Sequence, residues 1–214
     1  MTDQEYLEAV LRDQTFAPGS EELKALQEHR KKVEELLRKP FDESTPTIKY
    51  GGSKAKGTMI KEAYDLDVIC YFTRDGDAAG ETLKEIFDNT ETALKGEYFT
   101  ERKTSAIRIK DTKNFADFRI DVVPGRYVDG DDGDVYLYQS SGDKDRLKTN
   151  LEKHIEHVRD SGVVDAIKVM KLWRVRNAIV VKTFALELLV YPVIFVIWKW
   201  HREVKPAFAR TPQT

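Results

Sequence analysis

Gly52-Ser53, eleven further residues, then Asp65-Leu66-Asp67, with a third acid far downstream in Phe118-Arg119-Ile120-Asp121-Val122-Val123-Pro124, constrain this chain more than any other feature. A strand sends alternate side chains to one face, so Asp65 and Asp67 project together while Leu66 and Val68 enter apolar material. Two acids aimed at one point, joined by a third from a neighbouring strand, repel one another unless cations sit among them. A metal site is the economical reading.

Oxygen ligands without His or Cys suit Mg²⁺ or Mn²⁺, which keep waters and take further ligands from substrate phosphates. The preceding segment, Lys49-Tyr50-Gly51-Gly52-Ser53-Lys54-Ala55-Lys56-Gly57-Thr58, supplies glycines, a hydroxyl and lysines, the ingredients of an anion cradle. Cradle and metals then share one triphosphate, which fits nucleotidyl transfer with pyrophosphate leaving. Standing alone, Gly-Gly-Ser is an ordinary turn and Asp-x-Asp a solvated strand end. Their order, the gap between them, the strand Val68-Ile69-Cys70-Tyr71-Phe72 and the matching strand around Asp121 favour the functional reading.

The string Gly52-Ser53-Lys54-Ala55-Lys56-Gly57-Thr58, then Asp65-Leu66-Asp67-Val68, then Asp121-Val122-Val123-Pro124 resembles the polymerase-beta-type nucleotidyltransferases. Within them it is most similar to the bacterial relatives of cyclic GMP-AMP synthase (cGAS/DncV-like nucleotidyltransferases, CD-NTases) and to oligoadenylate synthase. The resemblance runs from about Ser20 to Val190. It implies an α+β polymerase-beta-like fold, Mg²⁺ (or Mn²⁺) on Asp65, Asp67 and Asp121, and a donor triphosphate on Gly52 and Ser53. It also implies an enzyme that joins nucleoside triphosphates into a cyclic or linear oligonucleotide messenger in antiphage defence. Downstream, Val169-Met170-Lys171-Leu172-Trp173-Arg174 and Lys182-Thr183-Phe184-Ala185-Leu186-Glu187-Leu188-Leu189 resemble the family's Lys-x-Trp and Leu-Glu-Leu-Leu helices. Lys171 and Thr183 match the positions that contact donor phosphates; a solvated helix lysine and a simple N-cap are the rival readings.

The chain has 214 residues and 41% hydrophobic content, enough for a substantial core. Its 35 basic side chains nearly balance 37 acidic ones, so a long nucleic acid is not expected as an obligate partner. Cys70 has no second thiol to pair with, which fits a reducing cytoplasm and a buried strand position. The N-terminus lacks the regions of a signal peptide. The apolar run Leu188 to Trp198 is too short to span a bilayer, so no membrane association is expected and a buried segment is.

Ser20 is expected to cap a helix with Leu23, Leu26, Val33, Leu36 and Leu37 on one face, stopped by Pro40. Strands are expected at 47–51, 66–72, 105–110, 118–123 and 135–138, with a helix near 79–94. That pattern is α+β with a mixed sheet. Helices are then expected over 143–159, with Leu147, Leu151, Ile155 and Val158 inward, and over Val164 to Arg176. Asp129-Gly130-Asp131-Asp132-Gly133-Asp134 lacks the bidentate Glu of a calcium loop and is expected to be a hairpin turn. The four histidines show no metal-ligand spacing, and Arg30-Lys31-Lys32 is expected to be a solvated face.

Two regions are expected, a catalytic core over 1–140 and a helical lobe over 141–214 that is incomplete, truncated relative to the family. Exposure of Val193 to Trp200 would then favour a homo-oligomer, and an effector or regulatory protein partner is compatible with this class. Two alternative functions remain open in the sequence. A tRNA-tailing nucleotidyltransferase needs a basic track that the composition does not advertise. A non-turnover antitoxin-type module usually lacks the two downstream helices seen here.

Overall fold

Seven strands form one mixed sheet in the order β1-β2-β5-β4-β3, with β6 paired to β5 and β7 to β6. The computed structural model describes residues 1–44, 46–111 and 119–199. Along the chain the elements are α1 (Asp3–Asp13), α2 (Glu21–Arg38), β1 (Thr47–Tyr50), α3 (Gly52–Lys56), β2 (Leu66–Phe72), α4 (Leu83–Lys95), β3 (Tyr98–Arg102), β4 (Ile107–Asp111), β5 (Ile120–Asp129), β6 (Asp132–Tyr138), β7 (Arg146–Thr149), α5 (Leu151–Arg159), α6 (Val164–Arg176) and α7 (Thr183–Lys199).

Helix starts follow local chemistry. Ser20 accepts from the Leu23 amide at 3.3 Å and opens α2, whose Leu26, Val33 and Leu37 are buried. Thr82 and Glu85 cap α4 reciprocally, which places its start at Leu83 rather than at the Ala79 that apolar spacing suggested. A like capping box, Thr2 with Glu5, opens α1, a helix whose exposed, charge-rich sequence advertised little periodicity.

Strand alternation then divides the core in two. Leu66, Val68, Cys70 and Phe72 of β2 join Ile107, Ile109, Ile120 and Val122 beneath α2 and α4. On the opposite face Ile69, Tyr71, Tyr127, Val135 and Leu137 pack with Leu151 at the start of α5. A separate small cluster, Val158, Ile167, Leu186 and Val190, ties α5, α6 and α7 together. The parallel β2–β5 pair sets Asp67 directly opposite Asp121, and antiparallel β4 sets Arg108 opposite Asp121 on the other side. Because paired residues share a face, Asp67, Asp121 and Arg108 stand in one row across three strands.

The Asp129–Asp134 segment is the β5–β6 hairpin, with Gly130 at φ 59° in its turn. Residues 146–149 depart from the expected helix. Leu147 pairs with Leu137 of β6, and Asn150 caps α5 by accepting from the Lys153 amide at 3.1 Å. Sheet pairing, which local periodicity does not register, claims this segment. The expected burial of Leu188 to Trp198 is also corrected where it can be followed: Leu186 and Val190 are buried, but Leu188, Leu189, Tyr191 and Val193 are exposed. Among the described residues of α7, Leu186 and Val190 face the cluster shared with α5 and α6. The side chains of 194–199, and Trp200 altogether, lie outside the described residues, as do Phe118 and the end of the chain. No helix among the described residues is long and apolar enough to cross a membrane.

Arg30 and Lys32 do not form a purely solvated face. Arg30 lies over the Tyr50 ring at 5.0 Å, and Lys32 pairs with Glu97 at 2.7 Å. Of the histidines, His154 packs its ring 5.0 Å from that of Phe184, and His201 lies outside the described residues.

Candidate active site

Between the sheet and the helices α6 and α7 lies a cleft of about 1130 Å³ whose wall includes Gly52, Ser53, Asp65, Asp67, Lys171 and Thr183. Asp121, the seventh residue expected at the site, sits behind the guanidinium of Arg108.

The cradle is built by a reversal of direction after β1. Gly51 donates its amide to the Asp67 carbonyl at 2.8 Å, closing the end of the β1–β2 pairing. Gly52 then begins α3 at φ 48°, and a Cβ placed on it would sit 1.6 Å from Asp67 Oδ2. Only glycine fits there, because the carboxylate itself occupies the space. Gly57, at φ 74°, ends α3, and the Thr58 amide donates to the Ser53 carbonyl at 2.9 Å. Ser53 is thereby fixed on the cleft wall one residue after the glycine.

Two carboxylates, Asp121 and Asp65, meet a single arginine at the sheet end. Arg108 donates Nε to Asp121 Oδ1 at 2.7 Å and Nη2 to Asp121 Oδ2 at 2.8 Å, and Nη2 reaches Asp65 Oδ2 at 3.2 Å. The fork holds its charge tightly, its pKa raised chiefly by the hydrogen bonds it donates to Asp121. Asp67 has no hydrogen bond or ion pair to its carboxylate among the described residues. Burial first, then the charges of Asp121 and Asp65, push its pKa up to about 7. Burial also raises Asp65, against the pull of Arg108. As the side chains stand, no three carboxylate, imidazole or thiolate groups among the described residues close around one ion. Their chemistry nevertheless fits a hard divalent cation: oxygen donors only, one of them half-buried without a hydrogen bond among the described residues, and like charges crowded together.

The opposite wall comes from the helices. Lys171, in mid α6, is 3% exposed, and its ammonium donates to the Thr58 carbonyl at 2.7 Å. Burial lowers its pKa to about 8 although Glu187 works in the other direction. Lys56, the last residue of α3, pairs with Glu187 of α7 at 2.6 Å, both buried. Two lysines thus face one buried glutamate, leaving a surplus positive charge at the cleft floor that suits a phosphate. Thr183 opens α7, and its hydroxyl accepts from Arg174 Nη1 at 2.8 Å, the same nitrogen that donates to the Val181 carbonyl at 3.0 Å.

Several lining residues carried no readable signal in the sequence: Arg108, Lys110, Arg119, Arg174, Tyr64 and Phe184. Alternation in Ile107-Arg108-Ile109-Lys110 told which face the basic residues take. It could not tell that this face is the one carrying Asp121.

No protein-family model and no curated protein matches the chain. Solved structures do. In the Escherichia coli MS115-1 CdnC:HORMA-deltaN complex, the similarity covers 91% of this chain and 65% of that one, at 18% identity and TM-score 0.65. Elizabethkingia meningoseptica CdnE cyclic dinucleotide synthase, solved with GTP and Apcpp, matches over 89% of this chain and 75% of its own, at 19% identity and TM-score 0.66. Vibrio cholerae DncV, in a 3'-deoxy ATP bound form, matches over 87% and 55%, at 18% identity and TM-score 0.56. The chain has the CD-NTase fold. The match spans 65% of the length of the CdnC chain.

Proposed function

We propose that this chain is a nucleotidyltransferase that joins nucleoside triphosphates into a cyclic or linear oligonucleotide messenger, with Mg²⁺ or Mn²⁺ as its cofactor. The observation that carries this reading is the cleft itself: Gly52 and Ser53 line it beside Asp67 and Asp65, and Lys171 and Thr183 line it from the helices. A triphosphate laid between them meets a glycine-lined cradle and the surplus lysine charge, while its α-phosphorus lies toward the acids.

Divalent cations bound by Asp65, Asp67 and Asp121 would supply charge neutralisation for both the attacking and the leaving oxygen. A ribose hydroxyl oxygen forms the new bond to the α-phosphorus, the bond to the bridging oxygen of pyrophosphate breaks, and the hydroxyl proton passes to a carboxylate at Asp121. Lys171 and Thr183 retain the leaving pyrophosphate. A cytoplasmic enzyme of antiphage defence with a regulatory protein partner follows from the resemblance of its motifs. CdnC, one structural relative, was solved with a HORMA partner.

Incubation of the purified chain with labelled nucleoside triphosphates and Mn²⁺ or Mg²⁺, read by mass spectrometry, tests the proposal. Expected is a phosphodiester-linked product that Asp67→Asn and Asp65→Asn each abolish. A product that persists in both variants, or none under any nucleotide combination, overturns it.

A further inference from the structure

Arg108 stands where the proposed chemistry needs a cation. Its backbone position is dictated by register, opposite Asp121 on β4, so it cannot be elsewhere while the sheet is intact. Its side chain is 17% exposed and uses Nε and Nη2 on Asp121 and Nη2 on Asp65. In the same row Glu101 of β3 is opposite Arg108, but Glu101 already pairs with Lys103 and, at 3.5 Å, with Lys110. Arg108 therefore has two possessions, Asp121 and Asp65, and both are carboxylates that a divalent ion would take.

The planar fork matches a phosphate as well as it matches a carboxylate. Arg108 lines the cleft, with Lys110 and Arg119 beside it on the same wall. A guanidinium that loses its carboxylates to an ion remains at the cleft surface and requires a new anion. Nucleotide phosphates are the anions the cleft is built to admit.

We propose that Arg108 is a substrate-positioning residue that changes partners: without nucleotide it holds Asp121 and Asp65 and competes with divalent cations, and with metal and nucleotide loaded it holds a nucleotide phosphate. This rests on the nucleotidyltransferase reading above. It predicts effects of opposite sign on two ligands of one site, which a purely structural arginine would not give, since weakening the fold lowers both affinities together.

The test is Mn²⁺ binding followed by electron paramagnetic resonance of the free ion, using the full chain stripped of metal. The titration is repeated with the non-hydrolysable α,β-methylene analogues of ATP and GTP. Arg108→Gln is expected to bind Mn²⁺ alone about tenfold more tightly than the parent chain, because the competitor is gone. In saturating Mn²⁺ the same variant is expected to bind the analogue about fivefold or more weakly. Arg108→Lys, which keeps a charge but loses the fork, should show both shifts at reduced size and serves as the second variant if the glutamine protein does not fold. Unchanged Mn²⁺ affinity in the variants, or shifts of the same sign for both ligands, overturns the exchange while leaving the enzyme reading intact. Absence of Mn²⁺ binding by parent and variants alike, with or without analogue, overturns the metal reading and this inference with it.

Discussion

Asp67 carries an acid whose pKa is pushed up to about 7 by burial and by Asp121 and Asp65. The sign of its effect on stability is opposite to that of an ordinary paired carboxylate. The folded protein binds this proton more tightly than the unfolded chain does, so the contribution is fully present below the ordinary value of 3.8 and is lost as pH rises through about 7. Asp67→Asn should therefore raise the stability of the metal-free protein at pH 8 by about 2 kcal/mol, and flatten its dependence on pH between acid and neutral conditions. Thermal melting in EDTA across that range checks this, with a gain of about 4–8 °C expected at pH 8 and little at the acid end. Gly52 is the neighbouring constraint. Gly52→Ala should cost about 2 kcal/mol or more, since its φ of 48° is strained for alanine and its Cβ would displace the Asp67 carboxylate. Urea unfolding measures that loss. Both positions stood out in the sequence, yet the reason for the glycine did not: only the folded chain puts Asp67 Oδ2 against its Cα.

The elements around the cleft are held by a few buried charges rather than by wide apolar contact. Lys56 at the end of α3 and Glu187 in α7 form a buried pair at 2.6 Å across 131 residues of sequence. Removing one partner strands a charge, so Glu187→Gln should destabilise the fold by about 3 kcal/mol, while Lys56→Met with Glu187→Leu should recover most of that. A double-mutant cycle by chemical denaturation decides it. The elements with strong local signals, α2 and β2, could be read from residue pattern and cap alone. Strand β7 could not, since Leu147 fits a helical face as readily as it fits a pairing with Leu137. What competes there is a ladder with β6, and a ladder is formed by residues that a local window does not contain.

At the scale of the whole molecule the cleft lies where the sheet meets the C-terminal helices. Lys171 donates to Thr58 and Lys56 to Glu187 across it, Leu151 of α5 packs into an apolar cluster of the sheet, and α5, α6 and α7 share a further cluster of their own. A ligand that touches Ser53 and Thr183 together would tie sheet and helices. Mn²⁺ with a non-hydrolysable nucleoside triphosphate analogue at a hundred times its dissociation constant should stabilise the protein by about 2.7 kcal/mol. That corresponds to a melting rise of about 5–10 °C. Neither Mn²⁺ alone nor the analogue in EDTA should match it, and Lys171→Met should lose most of it; a scanning-fluorimetry matrix of these conditions is the measurement.

Spacing and residue type were enough to pick out Asp65 and Asp67 as acids at a strand, Gly52-Ser53 as a glycine-bearing segment ahead of them, and Asp121 on a strand of like pattern; in the fold β2 starts at Leu66, Gly52 starts α3, and Asp67 pairs with Asp121. Those sequence signals are local properties, set by the two-residue repeat of a strand and by the backbone freedom of glycine. Only the tertiary structure decided that β4 lies beside β5 in the register that sets Arg108 against Asp121, and that α6 and α7 bring Lys171 and Thr183 to the same cleft. Such pairings are selected by burial and hydrogen bonding over the whole sheet, between residues far apart in the chain. The side chain that faces an acid across a strand boundary is therefore a property of the assembled fold.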